Sequence, residues 1–340
     1  MDSQNPLLQV KDLRTHFFLR EGTVRAVDGV DFTLTRRSTV GIVGESGCGK
    51  SVMAYSILQL INKPGRIVSG EILFDRSEGG ITPDVVDLAA FKENSAQLRA
   101  VRGKDISLIF QEPMNSLSPV HTIGDQITEG MLLHIGLTKA QAWTRAVELL
   151  HEVGIPKPEE RVHNYTFQLS GGMRQRAMIA AALACSPKLL IADEPTTALD
   201  VTTQAQILDL LNHLQEHFGM AIMLITHDLG VVAETCNDVV VMYLGEVVEQ
   251  ASVDQIFHDP QHPYTQALLK SVPKLGYGRR QKLNPIRGSI PDPFTRPTGC
   301  PFHERCEKRI AGKCEVIHPK LTTLPDGRTV RCLLYEDQAS

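Results

Sequence analysis

The sequence predicts an α/β fold built on a parallel sheet, followed by a small loop-rich extension. Short buried-strand patterns alternate with helical patterns over the first two-thirds of the chain, as in layered α/β proteins. A helical pattern separates the strand patterns Lys188–Ala192 and Ala221–Thr226, and this βαβ order implies parallel strands joined by a right-handed crossover. From about Asp259 onward proline recurs and periodicity fades, which sets off the extension.

The first elements lead to a glycine-rich loop. The pattern of Val24–Leu34 predicts a short strand pair. The pattern of Thr39–Val43 predicts a buried strand that directly precedes the loop. The apolar residues of Ser51–Ile61 have helical spacing, so the loop is followed by a helix. Ile106–Phe110 predict a further strand.

The middle and the end of the chain set the domain organisation. Residues from about 122 to 185 are almost wholly helical in pattern, which predicts a helical subdomain inserted within about 92–185. A final strand is expected at Asp238–Tyr243. We therefore expect one large domain over residues 1–260 and an extension over residues 261–340.

Composition and charge narrow the classes of function. The 340 residues carry a formal net charge of −4 and no basic tail, which argues against nucleic acid as the main partner. No apolar run is long enough to span a bilayer, and the first residues lack the pattern of a secretory signal. We expect the protein to stay in the cytoplasm unless a partner holds it at a membrane.

The glycine-rich loop Gly44–Ser51 fits the pattern G-x-x-x-x-G-K-[ST] and lies between a buried strand and a helix, where that motif binds phosphates. Backbone N–H groups and the helix N-terminus attract the anion. Lys50 can reach the outer phosphates, and the Ser51 hydroxyl can ligate Mg²⁺. The residues expected to contact a nucleotide triphosphate are Gly44, Ser46, Gly47, Cys48, Gly49, Lys50 and Ser51. We expect Cys48 to be a small tolerated residue of the loop. Because helix N-termini lower thiol pKa values, alkylation of Cys48 that a bound nucleotide blocks is a side prediction.

A pair of acidic residues lies at the end of the strand pattern that begins at Leu189. Asp193 and Glu194 follow Leu189–Ala192, at the sheet edge where ligands bind in open α/β folds. Asp193 can hold Mg²⁺, and Glu194 can orient or deprotonate the attacking water. Together with the phosphate loop, these acids predict hydrolysis of a nucleoside triphosphate.

The segment Leu169–Arg176 (LSGGMRQR) resembles the signature motif of the ATP-binding cassette family. The resemblance covers roughly residues 7–255. It implies a P-loop NTPase fold with a RecA-like core, an antiparallel β subdomain and an inserted helical subdomain. It also implies a head-to-tail dimer in which Ser170, Gly171 and Gly172 close over the γ-phosphate held by the other subunit. Met173 departs from the glutamine that is usual in the motif.

Four further positions match the family by resemblance. Phe17 is similar to the aromatic residue that stacks on adenine, although Phe17 or Phe18 could equally be core. Gln111 is similar to the glutamine that contacts Mg²⁺ or water and senses the membrane partner. Asp200, in Ala198-Leu199-Asp200, resembles the D-loop aspartate. His227 resembles the switch histidine that contacts the γ-phosphate, although a lone histidine at a strand end is usually structural.

Two segments resemble one branch of the family, the dipeptide and oligopeptide importers with their nickel and glutathione relatives. They are Gln111–Pro119 and His262–Leu269. Within that branch the chain is similar to the D-type subunit. This implies a heterodimer with an F-type ATPase subunit, two membrane permeases and an extracytoplasmic substrate-binding protein. It places the chain on the cytoplasmic face of the inner membrane as a peripheral subunit.

Four cysteines crowd the extension with the spacing C-x5-C-x7-C-x17-C, at Cys300, Cys306, Cys314 and Cys332. Four thiolates suit either Zn²⁺ or a [4Fe–4S] cluster. The resemblance to the peptide importers implies the iron–sulfur cluster, so we expect that cluster, with Zn²⁺ as the alternative. Free thiols or disulfides are the remaining possibility.

Two other classes of function compete with import. A soluble cassette ATPase acting on DNA or ribosomes typically carries two cassettes or a long coiled coil, and this chain shows neither. A regulatory module with a dead site is disfavoured because Lys50, Asp193, Glu194 and His227 are all present. The transported solute is not readable from this chain, since selectivity lies in the permeases and the binding protein.

Overall fold

The structure is a computed structural model that describes residues 6–77, 83–111, 116–197, 199–271 and 286–336. The chain packs as two compact units. The first comprises residues up to Leu7, Leu34–Thr39 and Phe74–Ile225, and the second comprises Leu8–Thr33, Val40–Leu73 and the remainder from Thr226. Each unit is described separately, and an element belongs to the unit that holds most of its residues. Over the described ranges, no helix is long and apolar enough to cross a membrane.

The elements run in chain order as follows. The strands are β1 Pro6–Phe18, β2 Thr23–Thr35, β3 Thr39–Val43, β4 Gly65–Asp75, β5 Val85–Asp87, β6 Ile106–Ile109, β7 Leu189–Asp193, β8 Ala221–Ile225, β9 Asp238–Tyr243, β10 Glu246–Ser252, β11 Thr322–Thr323 and β12 Thr329–Val330. The α-helices are α1 Lys50–Ile57, α2 Ala96–Val101, α3 Ile123–His134, α4 Lys139–Glu152, α5 Pro158–Arg161, α6 Gly171–Leu183, α7 Val201–Phe218, α8 Leu229–Thr235, α9 Val253–His258 and α10 Pro263–Lys270.

The first unit contains the parallel strands β8, β7 and β6 as neighbours in that order. Asp193, the last residue of β7, is opposite Ile225 of β8. All residues of β7 and β8 are buried, as expected of strands covered on both faces. Helix α7 connects β7 to β8, in agreement with the predicted βαβ order.

Helices α3 to α6 follow β6 in the first unit, where the sequence predicts a helical segment. Thr122 forms a capping box at the start of α3, and Thr138 forms one at the start of α4. Ser170 caps α6 through a hydrogen bond from the Met173 amide at 3.3 Å. The apolar faces of α4 and α6 are buried, and α6 packs against both α4 and strand β6.

The second unit contains β3 parallel to β9, with Val43 opposite Val241. Strand β9 pairs with β10, and β10 with β12, in antiparallel fashion. A separate sheet places β2, β1 and β4 in that order. Residues of the extension pack into the core of this unit, since Tyr264, Cys300 and Phe302 join valines of β9 there.

The sequence prediction is wrong at β2, which is one continuous strand over Thr23–Thr35 and not a short strand pair. Gly29 lies within the strand at φ +83°, a conformation that lets the backbone continue without a hairpin turn. The predicted α/β organisation is confirmed, because strands of a parallel sheet alternate with helices along the chain. The domain boundary near residue 260 stays a prediction, as does the extent of the insertion within 92–185.

Candidate functional site

The loop Gly44–Ser51 has the backbone that a phosphate cradle requires. Gly47 and Gly49 have φ angles of +79° and +101°, in the region that favours glycine. A Cβ atom on Gly49 would lie 2.1 Å from the Ala26 carbonyl oxygen, whereas one on Gly47 would meet nothing within 4 Å. The loop is therefore fixed by close packing at Gly49 and faces open space at Gly47.

Lys50 is buried at the centre of this loop. Its Nζ donates to the carbonyl oxygens of Gly44 at 2.8 Å and Glu45 at 3.1 Å. Helix α1 begins at Lys50, so the ammonium group and the helix N-terminus concentrate positive charge at one place. The half-buried Ser51 is the next residue of α1.

The surroundings of Cys48 agree with the expectation of a small tolerated residue, and its alkylation stays a prediction. Cys48 is 4% exposed, and burial raises the pKa of its thiol, an effect that the Lys50 charge only partly offsets. Burial thus disfavours the thiolate, which is the reactive form. Cys48 acts as a small buried residue of the loop.

Two other predicted site residues belong to the second unit. His227 is exposed and directly precedes Asp228, whose carboxylate caps α8 by accepting from the Gly230 amide at 2.9 Å. Phe17 is half-buried on β1, with its ring against Gly65. Phe18 is 40% exposed under the Arg66 guanidinium, so neither aromatic residue belongs to the buried core.

The predicted acids lie together in the first unit. Asp193 is fully buried at the carboxyl end of β7. Glu194 follows at φ +46°, a conformation that costs a non-glycine residue about 1–3 kcal/mol. Its amide donates to the Ile225 carbonyl oxygen at 2.9 Å, which holds this backbone in place. The strained turn directs Glu194 away from the buried path of the strand.

The Glu194 carboxylate has two side-chain donors in the same unit. Gln111 Nε2 donates to Glu194 Oε2 at 3.0 Å. Thr197 Oγ1 donates to the same oxygen at 2.8 Å. The structure thus brings together two predicted site residues that are 83 positions apart in the sequence.

The signature segment opens helix α6 on the surface of the first unit. Ser170 and Gly171 are exposed. A Cβ on Gly171 would meet nothing within 4 Å, and one on Gly172 would only touch Thr203 at 3.4 Å. The buried Gln175, further along α6, donates from Nε2 to the Pro195 carbonyl oxygen at 2.5 Å. The signature helix is therefore tied to the turn that carries Glu194.

Asp200 caps α7 by accepting from the Thr203 amide at 3.0 Å and its hydroxyl at 2.8 Å. These hydrogen bonds lower the pKa of the Asp200 carboxyl group. Two predicted segments lie outside the described residues, namely Glu112–Asn115 of the proposed permease contact and Ala198 of the D-loop.

The donor types suit Mg²⁺. The Ser51 hydroxyl and the Asp193 carboxylate, in separate units, are oxygen ligands of the kind that this hard cation prefers. Gln111 adds an amide oxygen of the same kind.

The prediction of a [4Fe–4S] cluster in the extension is wrong. The described residues include all four cysteines, and no group of three or more His, Cys, Asp or Glu side chains among them could hold a metal ion. The same finding gives no support to Zn²⁺. All seven cysteines are free. Burial, and more weakly their mutual repulsion as thiolates, raises the pKa of Cys300 to about 12 and of Cys332 to about 11.

The physical reason is that these thiols serve as apolar packing groups. Cys300 and Cys314 lie in the aromatic core of the second unit, whereas Cys332 packs with Leu324 and Val330 in a separate small cluster. Metal ligation requires thiolates, and these surroundings favour the neutral thiol. Sequence spacing alone does not distinguish the two environments.

Sequence reasoning missed three residues that contact the site. Thr197 has no signal beyond its position three residues after Glu194. Tyr264 accepts from the Glu45 amide at 2.9 Å through its hydroxyl oxygen. Arg305 donates to the Glu45 carboxylate at 2.6 and 2.9 Å. The last two contacts join distant parts of the sequence, and no local sequence pattern predicts them.

Comparison with known families gives two matches. A family model described as "ABC transporter" matches residues 27–197. A second, described as "Oligopeptide/dipeptide transporter, C-terminal region", matches residues 248–314. Between them these models cover the phosphate loop, the signature segment, the paired acids and part of the extension.

Relatives of similar length match nearly the whole chain. The oligopeptide transport ATP-binding protein AppD of Bacillus subtilis is 51% identical over 98% of both chains. The dipeptide transport ATP-binding protein DppD of Escherichia coli is 45% identical, again over 98% of both. The dimeric structure of the ATP-binding cassette MJ0796 bound to ADP and Pi has a TM-score of 0.62 and 26% identity, and it covers 72% of this chain and 98% of that one.

Proposed function

The chain belongs to the ABC transporter family of ATP-binding proteins. On this basis we propose which residues bind and hydrolyse ATP and which partner subunits form the transporter. It is an ABC ATPase whose hydrolysis of ATP drives the uptake of peptides. The observation that carries this function is full-length similarity to peptide-import ATPases, which includes the C-terminal region of the oligopeptide and dipeptide transporters.

Within the nucleotide site, the phosphate loop binds the phosphates and Lys50 neutralises their charge. Ser51, Gln111 and Asp193 are the residues that would hold Mg²⁺, which would neutralise charge on the transferring phosphoryl group. Glu194 orients and deprotonates the attacking water. Its bonds from Gln111 and Thr197 support this role, because they fix the direction in which the carboxylate points. His227 contacts the γ-phosphate, and Phe17 stacks on the base.

A second cassette completes the site. The exposed helix start at Ser170, Gly171 and Gly172 supports this proposal, because open space above Gly171 leaves room for the close approach of a phosphate. A structural relative that is dimeric with bound ADP and Pi also supports it. The second cassette is a paralogous F-type subunit. The Asp200 turn precedes helix α7 and is positioned by its own cap.

The cassette pair works beneath two permease subunits on the cytoplasmic face of the cell membrane. An extracytoplasmic binding protein delivers the solute to those permeases. Closure of the cassettes around ATP is the movement that would be passed to the permeases. Residues after Gln111 are the proposed contact.

Uptake of labelled solutes by cells that lack this chain tests the proposal. Cells supplied with the intact chain should take up a labelled dipeptide or tripeptide, whereas cells supplied with Lys50→Ala should not. An exposed lysine of helix α4 provides the control, since Lys139→Ala should restore uptake. Restored uptake of Ni²⁺ or glutathione, with no uptake of peptide, would assign the chain to those relatives instead.

A further inference from the structure

One buried arginine connects the extension to the phosphate loop. Arg305 Nη1 donates to Glu45 Oε2 at 2.6 Å, and Nη2 donates to Glu45 Oε1 at 2.9 Å. The residues are 260 positions apart in the sequence and belong to the same compact unit. Two parallel bonds between a guanidinium and a carboxylate fix both distance and orientation. The pair therefore constrains Glu45, the second residue of the loop.

Further contacts hold Arg305 itself in one position. Its side chain is 4% exposed, and its Nε donates to the Arg287 carbonyl oxygen at 2.9 Å. Nη1 also donates to the Tyr243 hydroxyl at 3.3 Å, and the guanidinium carbon lies 5.9 Å from the centre of the Phe302 ring. Because so much of the arginine is already ordered, little entropy is lost when it binds Glu45.

Glu45 in turn positions the lysine of the loop. Its amide donates to the Tyr264 hydroxyl at 2.9 Å. Its carbonyl oxygen accepts from Lys50 Nζ at 3.1 Å and from the Cys48 amide at 3.2 Å. A movement of Glu45 therefore displaces an acceptor of the Lys50 ammonium group. Misplacement of a positioning group by about 1 Å can cost roughly 10²-fold in rate.

We propose that Arg305 is a positioning residue for ATP binding, which acts from the extension by fixing Glu45 and, through it, the phosphate loop and Lys50. The inference rests on the proposed ATPase function. Its consequence is reciprocal: a change that withdraws Arg305 lowers the affinity for ATP, and bound ATP stabilises the docked extension. The extension thereby becomes a means of regulating nucleotide binding.

The competing explanation is a structural tether that only keeps the extension folded. Arg328 is a matched control, because it is also a buried arginine of the extension, with a side chain that is 6% exposed. It donates to the Asp259 carbonyl oxygen at 2.6 Å and to the Asp326 carboxylate at 2.7 Å. Among the contacts described for Arg328, none reaches the phosphate loop.

The test measures ATP affinity by calorimetry on the full-length chain, together with the midpoint of thermal unfolding. Arg305→Ala should weaken ATP binding by about tenfold or more, and Arg305→Lys should restore part of it, since lysine keeps the charge but not the paired bonds. Glu45→Gln should weaken binding to a similar degree. The double variant Arg305→Ala with Glu45→Gln should be little worse than either single variant, as expected of one shared interaction.

Arg328→Ala should lower the unfolding midpoint while it leaves ATP affinity within about twofold of the intact chain. Equal losses of affinity in Arg305→Ala and Arg328→Ala, or additive losses in the double variant, would overturn the inference in favour of a tether. If Arg305→Ala does not fold, Glu45→Gln and Arg305→Lys carry the same comparison. An intact chain that does not bind ATP would instead refute the proposed function.

Discussion

Gln111 and Glu194 are joined directly: Gln111 Nε2 donates to Glu194 Oε2 at 3.0 Å. Gln111 follows strand β6 and Glu194 follows β7, which are neighbouring parallel strands, so their carboxyl ends meet at one sheet edge. In the proposed mechanism, the glutamine that senses the permease is thus hydrogen-bonded to the residue that activates water. A movement at Gln111 would change the orientation of the catalytic carboxylate.

The first prediction concerns Glu194. Glu194→Gln should lower single-turnover hydrolysis of ATP by about 10²-fold or more, because the amide cannot accept the proton of the attacking water. ATP affinity should remain, since binding depends on the phosphate loop. Rapid-quench measurement of phosphate release gives the rate. The control is the exposed Glu216→Gln on α7, which should hydrolyse normally; undiminished hydrolysis by Glu194→Gln would exclude Glu194 as the base.

The second prediction compares two glycines of the phosphate loop. Gly47→Ala places a Cβ in open space and should cost about 1–2 kcal/mol of unfolding free energy through backbone strain alone. Gly49→Ala should cost more, since its Cβ would also lie 2.1 Å from the Ala26 carbonyl oxygen. Urea unfolding measures both. Equal losses in the two variants would show that the loop is not packed as described.

The third prediction concerns the partner cassette. Gly171→Glu adds negative charge at the exposed start of α6, where the proposed partner holds its γ-phosphate. ATP affinity of the isolated chain should be unchanged, while ATP-dependent association with the second cassette should weaken by about tenfold or more. Analytical ultracentrifugation with ATP measures association. Ala140→Glu makes the same change of charge at an exposed position in the first turn of α4 and should have no effect on association, so a similar loss there would contradict the proposed interface.

The fourth prediction is a pH dependence of stability that arises from His262. This buried residue caps α10, and its Nδ1 accepts from the Tyr264 amide at 3.0 Å, which requires an unprotonated nitrogen. Burial lowers the pKa of His262 to about 3, well below its ordinary value of 6.5. As pH falls below 6.5, His262 becomes protonated in the unfolded chain but stays neutral in the folded chain. Stability should therefore drop by about 1.4 kcal/mol per pH unit from this group.

The variant His262→Asn isolates this effect, because asparagine can cap the helix without titrating. Urea unfolding at pH 7.5, 6.0 and 5.0 should show that the intact chain loses stability relative to His262→Asn as pH falls. His258→Asn, at an exposed position of α9, should change with pH in parallel with the intact chain. A constant difference between the intact chain and His262→Asn across this range would contradict the assignment.

Local patterns were enough to predict the alternating α/β order and to propose the phosphate loop and the paired acids, whereas Gln111, Asp200 and His227 were proposed from the family resemblance. Strand and helix patterns on either side of Gly44–Ser51 identified the phosphate loop, and the strand before Asp193 identified the acids. Such signals work because each element and its motif lie within a short stretch of chain. The sequence did not show that β2 is one continuous strand, because a glycine such as Gly29 is found both in turns and within strands.

Contacts between distant residues were not predictable in this way. The pairing of Arg305 with Glu45 depends on how the extension packs, and arginine and glutamate are common in solvated loops. The cysteine spacing suggested a metal site, but burial favours the neutral thiol at Cys300 and Cys332, and no metal-holding group of side chains is found among the described residues. Whether a thiol is a ligand or a packing group depends on its folded surroundings, which spacing does not specify.

The central claim is that ATP hydrolysis by this chain drives peptide import. Its most direct test measures ATP hydrolysis and uptake of a labelled peptide together, in vesicles that contain the assembled importer and its binding protein. Peptide-loaded binding protein should stimulate hydrolysis, and Glu194→Gln in this chain should lower hydrolysis and uptake together. Uptake that continues at the normal rate with Glu194→Gln would show that hydrolysis by this chain does not drive import.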